Sequence, residues 1–304
     1  MHHGYSETDY GQVHWRQCEQ DSRSASADLY CLHPAPFSGL AFTSVMPLLA
    51  SDYRVIAPDY PGHGGSAPLM RAASIDDYAI AVQQVANDLS GSASIDLVGF
   101  HTGCLVALAK AVRRPDRIRR MVLIDVPAFD PQIRATLKAD LGGMFEFSEA
   151  LSCLAGPWER SVKRRAGTEP VERSVALFAE QLRHGTRMNA AFAAAFSYDV
   201  EAAFSANTRP TTIVATASAL LAATRRAASL APDAEFIERL DIQRSVLDES
   251  AEVTAACILT CLIDCAARLR KKIPFGYLTI QNVLYSMGHG KATRSARARI
   301  ESST

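Results

Sequence analysis

The chain has 304 residues, 48% of them hydrophobic and 21% charged, and its 32 basic side chains balance 32 acidic ones. That length can bury a sizeable core, as one large domain or as a domain with an insertion. A formal charge of zero gives no global attraction to nucleic acid or to an anionic membrane, which leaves a small-molecule substrate or ligand as the expected partner.

In chain order, apolar and β-branched runs predict strands over residues 12–18, 29–33, 54–58, 95–99, 121–125, 211–216 and 235–240. Helical patterns cover 75–89, 104–113, 224–230 and 252–270. Such alternation is the signature of a mostly parallel sheet covered by helices on both faces. No strand-like run separates Asp125 from Thr211, and a structureless loop of that length is implausible in a compact domain. Broken by Gly142-Gly143, Gly156-Pro157 and Gly185, the interval predicts a helical cap over 127–206, inserted between the core segments 1–126 and 207–270. From Lys271 the chain turns basic and Ser-rich, with Lys291, Arg294, Arg297 and Arg299, and 271–304 is expected to be a flexible tail.

The opening Met-His-His-Gly-Tyr-Ser-Glu lacks the basic and then apolar regions of a signal peptide. The most apolar stretch near the C-terminal end carries Glu252 and Asp264, which does not suit a membrane span. Seven cysteines show no paired spacing, so reduced thiols and a cytoplasmic protein are expected. Cys257, Cys261 and Cys265 recur every four residues, but Ala255, Ala256, Ile258 and Leu262 beside them mark small core positions rather than metal ligands. With no metal-ligand spacing, phosphate loop or dinucleotide fingerprint, neither a metal nor a cofactor is expected. The oligomeric state is left open.

Three segments carry the functional argument. Cys31-Leu32-His33-Pro34-Ala35-Pro36 follows one predicted strand, and Ala57-Pro58-Asp59-Tyr60-Pro61-Gly62-His63-Gly64-Gly65-Ser66 covers the end of the next. Leu97-Val98-Gly99-Phe100-His101-Thr102-Gly103 is an apolar run that breaks at two glycines before an alanine-rich helix. The first resembles the His-Gly-x-Pro loop of α/β-hydrolases, and the second their Asp-x-Pro-Gly-x-Gly-x-Ser turn. The third resembles their nucleophile elbow, where a strand turns sharply into a helix and presents the middle residue of Gly-x-Ser-x-Gly. This resemblance covers residues 10 to 130 well and the rest loosely. It implies an α/β-hydrolase fold with a site at the C-terminal ends of the strands. One oxyanion donor in that fold comes from the first loop and another from the residue after the nucleophile. Here these are the N–H groups of Ala35 and Thr102.

The catalytic set departs from the family. His101 stands where serine is usual, and the Gly-x-His-Thr-Gly elbow resembles that of a branch of bacterial hydrolase-like proteins. The family acid follows the strand after the cap, yet that strand runs Ile213-Val214-Ala215-Thr216-Ala217-Ser218 without a carboxylate. The family histidine follows the last strand, yet Leu240-Asp241-Ile242-Gln243-Arg244-Ser245 contains none. At the head of a helix the positive end of the macrodipole keeps an imidazole neutral, and a neutral imidazole serves as base or nucleophile. Asp125 at the end of the following strand is the candidate to orient it, with Asp130 as second choice.

Among the remaining candidates, His33 is expected to shape the first loop and to border the substrate together with Phe100. Phe145 and Trp158, with Phe147, Phe192 and Phe196, are candidates to line an apolar pocket. His63 is expected to be exposed or structural, and Cys104 to pack inside its helix. His289, in Met287-Gly288-His289-Gly290, is a candidate relocated base. The cluster Arg113-Arg114, Arg117 and Arg119-Arg120 reads as a solvated face. Three functional readings follow. One is a hydrolase of a small ester, thioester, lactone or other activated carbonyl. Another is an enzyme using His101 as general base without hydrolysis. The third is a ligand-binding or regulatory protein with a retired site.

Overall fold

The computed structural model describes residues 1–20, 27–69, 71–141 and 143–262. The basic stretch 271–304, His289, Cys265, Asp264 and Gly142 lie outside the described residues.

Strands β1 (His2–Thr8) and β2 (Gly11–Cys18) form an antiparallel hairpin. β3 (Leu29–Leu32) is followed by α1 (Met46–Leu49), β4 (Val55–Pro58) by α2 (Ile75–Ser90), and β5 (Ile95–Phe100) by α3 (Thr102–Arg113). Between β6 (Ile118–Ile124) and β7 (Thr211–Thr216) lie α4 (Pro131–Leu141), α5 (Ala155–Ser161), α6 (Val171–Leu182), α7 (Ala190–Ser197) and α8 (Val200–Ala206). The chain then forms α9 (Leu221–Leu230), β8 (Glu235–Arg239) and α10 (Ala251–Leu262). The sheet order is β1-β2-β4-β3-β5-β6-β7-β8, with β2 antiparallel to β4 and every pairing from β4 to β8 parallel.

Every residue of β3, β4 and β7 is buried, as parallel strands covered on both faces require. On one face, α2, α3, α8 and α9 pack Val82, Leu105, Phe204 and Ala227 against Tyr30, Leu97 and Ile213. On the other, α1 and α10 pack Met46, Cys257, Ile258 and Cys261 against Leu29, Val55 and Val98. The two described cysteines of the α10 triplet are therefore core residues. A capping box starts α2, where Ser74 accepts from the Asp77 N–H and Asp77 accepts from the Ser74 N–H.

The interval between β6 and β7 is helical, without a named strand among the described residues. Ala191 and Ala194 of α7 and Phe204 of α8 join the same apolar layer as α2 and α3. The end of this interval thus covers the sheet, and residues 1–262 form one compact unit. The arginine cluster is not a uniform solvated face. Arg113 and Arg114 are exposed, whereas Arg117 is buried and donates to the carbonyls of Gly91 and Ala93, and Arg119 pairs with buried Asp96.

From β3 the chain moves to β4 on one side, then crosses back to place β5 on the other. The carboxyl ends of β3 and β5 therefore flank a topological switch point, where open α/β sheets leave a crevice for ligands. The loops that follow these two strands carry Ala35 and His101.

Candidate active site

The turn from β5 into α3 is strained at one residue. His101 has φ 51° and ψ −118°, a region that costs a non-glycine residue on the order of 1–3 kcal/mol and that clusters at functional sites. Its N–H donates to the Ile124 carbonyl at 3.1 Å, and its carbonyl accepts from the Cys104 N–H at 2.9 Å. Both flanking glycines are sterically required. A Cβ on Gly103 would fall 1.9 Å from the Leu32 carbonyl oxygen, and one on Gly99 would fall 2.6 Å from the Gly103 oxygen. They let α3 press against β3 and β5, which holds the turn in its strained form. Cys104 donates its thiol to the Gly99 and Ile124 carbonyls, both at 3.2 Å, and burial pushes its pKa up, so it packs as expected.

Asp125, also at positive φ (54°), is fully buried at the end of β6. Its Oδ1 accepts from the Thr216 N–H at 2.9 Å and its Oδ2 from the Thr216 hydroxyl at 2.6 Å. That same Oδ2 lies 4.0 Å from His101 Nε2. The carboxylate thus stands at ion-pair distance from the ring, while its hydrogen bonds go to Thr216. Asp130 instead caps the start of α4, accepting from the Gln132 N–H at 2.9 Å on an exposed turn. The Phe100 ring lies against the His101 ring, with centroids 4.0 Å apart. Desolvation by these walls lowers the His101 pKa, the Asp125 charge opposes that shift, and Arg165 adds to it.

The His101 side chain is 37% exposed, and it opens into a cavity of about 240 Å³. Pro34, Ala35, Phe37 and Phe100 line this cavity from the β3 and β5 ends, with Asp125 beside His101. Arg165 and Leu177 reach it from the interval between β6 and β7. Ser218 after β7 and the segment Gln243–Asp248 after β8 complete the wall. A second cavity, about 590 Å³, lies at the start of α2 against α7 and includes neither His101 nor Asp125. The smaller one is the candidate site, because it holds the strained residue at the switch point.

Several expected site residues lie elsewhere. His33, expected to border the substrate, is fully buried and does not line the cavity. Its Nδ1 donates to the Pro34 carbonyl at 3.1 Å and its Nε2 accepts from the Tyr60 N–H at 3.2 Å, which engages both ring nitrogens. Burial pushes its pKa down to about 4, so it shapes the loop as a neutral ring. Trp158 packs edge-on against Phe178 at 5.5 Å, and Phe145 against Phe147 at 4.8 Å. Neither lines the His101 cavity, because their segments turn them onto other residues of the insertion. Thr102 is buried at the first position of α3 and is not a lining residue, although its N–H has no intrahelical acceptor there. His63 is buried and structural, with Nδ1 on the Pro61 carbonyl at 3.2 Å.

Asp59 positions the loops around the site. It accepts from His14 Nδ1 at 2.8 Å, Arg16 at 2.7 Å, and the N–H groups of Gly39 and Gly65 at 2.8 and 2.9 Å. Burial alone would raise its pKa, but His14 and Arg16 overcome this and hold the carboxyl below the usual range. Sequence reasoning missed Arg165, Ser218, Gln243, Arg244 and Ser245. The last four follow β7 and β8, where the resemblance points only to an acid and a histidine. Arg165 had no signal of its own.

A family model described as the alpha/beta hydrolase fold matches residues 29–153. A pimeloyl-[acyl-carrier protein] methyl ester esterase of Neisseria meningitidis is 36% identical over 109 residues, covering 36% of this chain and 40% of that protein. A 2-hydroxymuconate semialdehyde hydrolase of Pseudomonas sp. is 38% identical over 109 residues, covering 34% of this chain and 37% of that protein. The matches thus span about two fifths of these relatives. Among solved structures, a hydrolase from Pseudomonas aeruginosa superposes with TM-score 0.71 at 20% identity, covering 86% of this chain and 98% of the other. An enol-lactonase from Burkholderia xenovorans gives TM-score 0.68 at 18% identity, covering 86% and 100%.

Proposed function

We propose that this chain, which has the α/β-hydrolase fold, hydrolyses a small ester, thioester, lactone or other activated carbonyl with His101 as general base or nucleophile. The observation that carries this reading is the strained turn that presents His101, rather than serine, to a cavity at the switch point. The names of the relatives and structural neighbours, a methyl ester esterase, a semialdehyde hydrolase and an enol-lactonase, agree with a hydrolase reading. The six described cysteines are all free thiols, which favours the cytoplasm as its compartment.

In this reading the Nε2 side of the ring faces Asp125, whose charge at 4.0 Å stabilises an imidazolium without taking its proton. A proton on Nε2 leaves the Nδ1 lone pair as the base. It takes a proton from water, and the water oxygen attacks the carbonyl carbon. The N–H groups of Ala35 and Thr102 are the assigned donors to the resulting oxyanion. Collapse expels the alkoxide or thiolate, which recovers the proton from the imidazolium, giving acid and alcohol or thiol. Direct attack by the ring would pass instead through an acyl-imidazole that water then cleaves. The segment 127–206 acts as a cap in this reading, contributing Arg165 and Leu177 to the site.

A panel of activated acyl esters, thioesters and lactones tests the proposal, run with and without a fluorophosphonate that labels activated serines. Turnover that survives this reagent is the expected result. A second reading, a ligand-binding protein without turnover, is favoured by the commitment of both Asp125 oxygens to Thr216. Saturable binding across the panel with no product would establish it.

A further inference from the structure

Two arginines share the His101 cavity although they come from separate parts of the chain. Arg165 belongs to the interval between β6 and β7, and Arg244 to the segment after β8. The carboxylates that line the same cavity are committed elsewhere. Asp125 is tied to Thr216. Asp248 accepts from Arg173 Nε at 2.9 Å and from the Ser44 hydroxyl at 2.6 Å, so its charge is already matched.

The arginines are held but not saturated. Arg165 places its guanidinium carbon 5.1 Å from the centroid of Phe37, a ring that also lines the cavity, a cation–π contact that favours this position. One of its N–H groups reaches Glu169 at a long 3.4 Å. That carboxylate is shared with the hydroxyls of Ser174 at 2.5 Å and Ser245 at 2.7 Å. Ser245 itself sits at φ 43°, and its bond to Glu169 anchors the loop next to Arg244. The Arg244 side chain is exposed and has no ion pair or hydrogen bond among the described residues. A guanidinium is built to grip a carboxylate through paired N–H donors. The cavity, about 240 Å³, suits a short acyl chain rather than a large ligand.

We propose that the substrate of this site carries a carboxylate, gripped by Arg165 and Arg244 while its reactive carbonyl rests against His101. The placement of the carbonyl rests on the hydrolase reading above; the grip on the carboxylate does not. Binding can therefore be tested without turnover, by calorimetry with hexanoate and with hexanamide, its neutral counterpart. Hexanoate should bind saturably and shift the His101 ring resonances in NMR, and hexanamide should bind about tenfold more weakly or worse. Arg165→Gln and Arg244→Gln should each weaken hexanoate by about tenfold or more and leave hexanamide unchanged. Arg244→Lys should recover part of the loss, and Arg225→Gln, in a surface pair with Glu238, should change nothing.

Equal affinity for acid and amide, no saturable hexanoate binding, or an unchanged affinity in Arg244→Gln would each overturn the proposal. Arg244 is exposed, so that variant decides the matter even if Arg165→Gln fails to fold. Hexanoate binding without turnover of any acyl compound would sink the hydrolase reading and keep the carboxylate site.

Discussion

At the scale of single residues, the proposed base chemistry turns on three side chains: His101, Asp125 and Thr216. Thr216 fixes the buried carboxylate through two hydrogen bonds, and the carboxylate opposes the desolvation that lowers the His101 pKa. A base works only when unprotonated, so a lowered pKa moves the acid limb of activity to lower pH. The profile of kcat/KM should therefore fall on the acid side below the ordinary histidine value of about 6.5. Removing the opposing charge in Asp125→Asn should move that limb lower still, while kcat falls because the imidazolium loses its counter-charge. Titration of the His101 ring by NMR gives the same test without substrate. A limb at or above the ordinary value, or an upward shift in Asp125→Asn, would contradict this account.

At the scale of elements, the β5–α3 elbow is the part of the fold most tightly specified by its residues. Gly103→Ala puts a Cβ 1.9 Å from a backbone oxygen of β3, and backbone cannot yield as a flexible side chain would. We expect a loss of about 3 kcal/mol or more in urea unfolding, or no soluble protein. A variant within about 0.5 kcal/mol of the parent would show that the contact relaxes. This elbow was legible in the sequence because glycine spacing and an apolar run report backbone geometry directly. Strands 95–99 and 211–216 were legible for a similar reason, as short apolar and β-branched runs between turns. β1 was not, since His2–Thr8 is polar and mostly exposed, and its pairing with β2 leaves no apolar alternation to read. Phe145 and Trp158 were misplaced because apolar character does not say where a side chain points: Trp158 stays 42% exposed and Phe145 is half-buried, both away from the cavity. Arg165 and Arg244 reach the site only through the path of the chain, which no local pattern encodes.

At the scale of the whole molecule, three histidines near the site loops couple stability to pH. His33 and His63 are buried, and burial lowers the pKa of both, as it does for His184. In the folded state His33 stays neutral down to about pH 4, whereas in the unfolded chain it takes a proton near 6.5. Below 6.5 the unfolded state therefore binds more protons, and stability falls as pH drops until the folded pKa is reached. For His33 alone the loss across that window is on the order of 3 kcal/mol. Urea unfolding at pH 7.5, 6 and 5 should show a steep decline. A flat profile across that range would mean that the rings protonate in place.

The most direct measurement for the whole account is kcat/KM on one hydrolysed acyl ester, with the parent beside His101→Ala and His101→Gln. The account predicts a fall of about 10²- to 10⁴-fold in both variants with unfolding transitions intact, and partial recovery of His101→Ala by added imidazole. Activity within about twofold of the parent, well short of that range, would place the chemistry on some other group and end the case for a histidine-centred hydrolase.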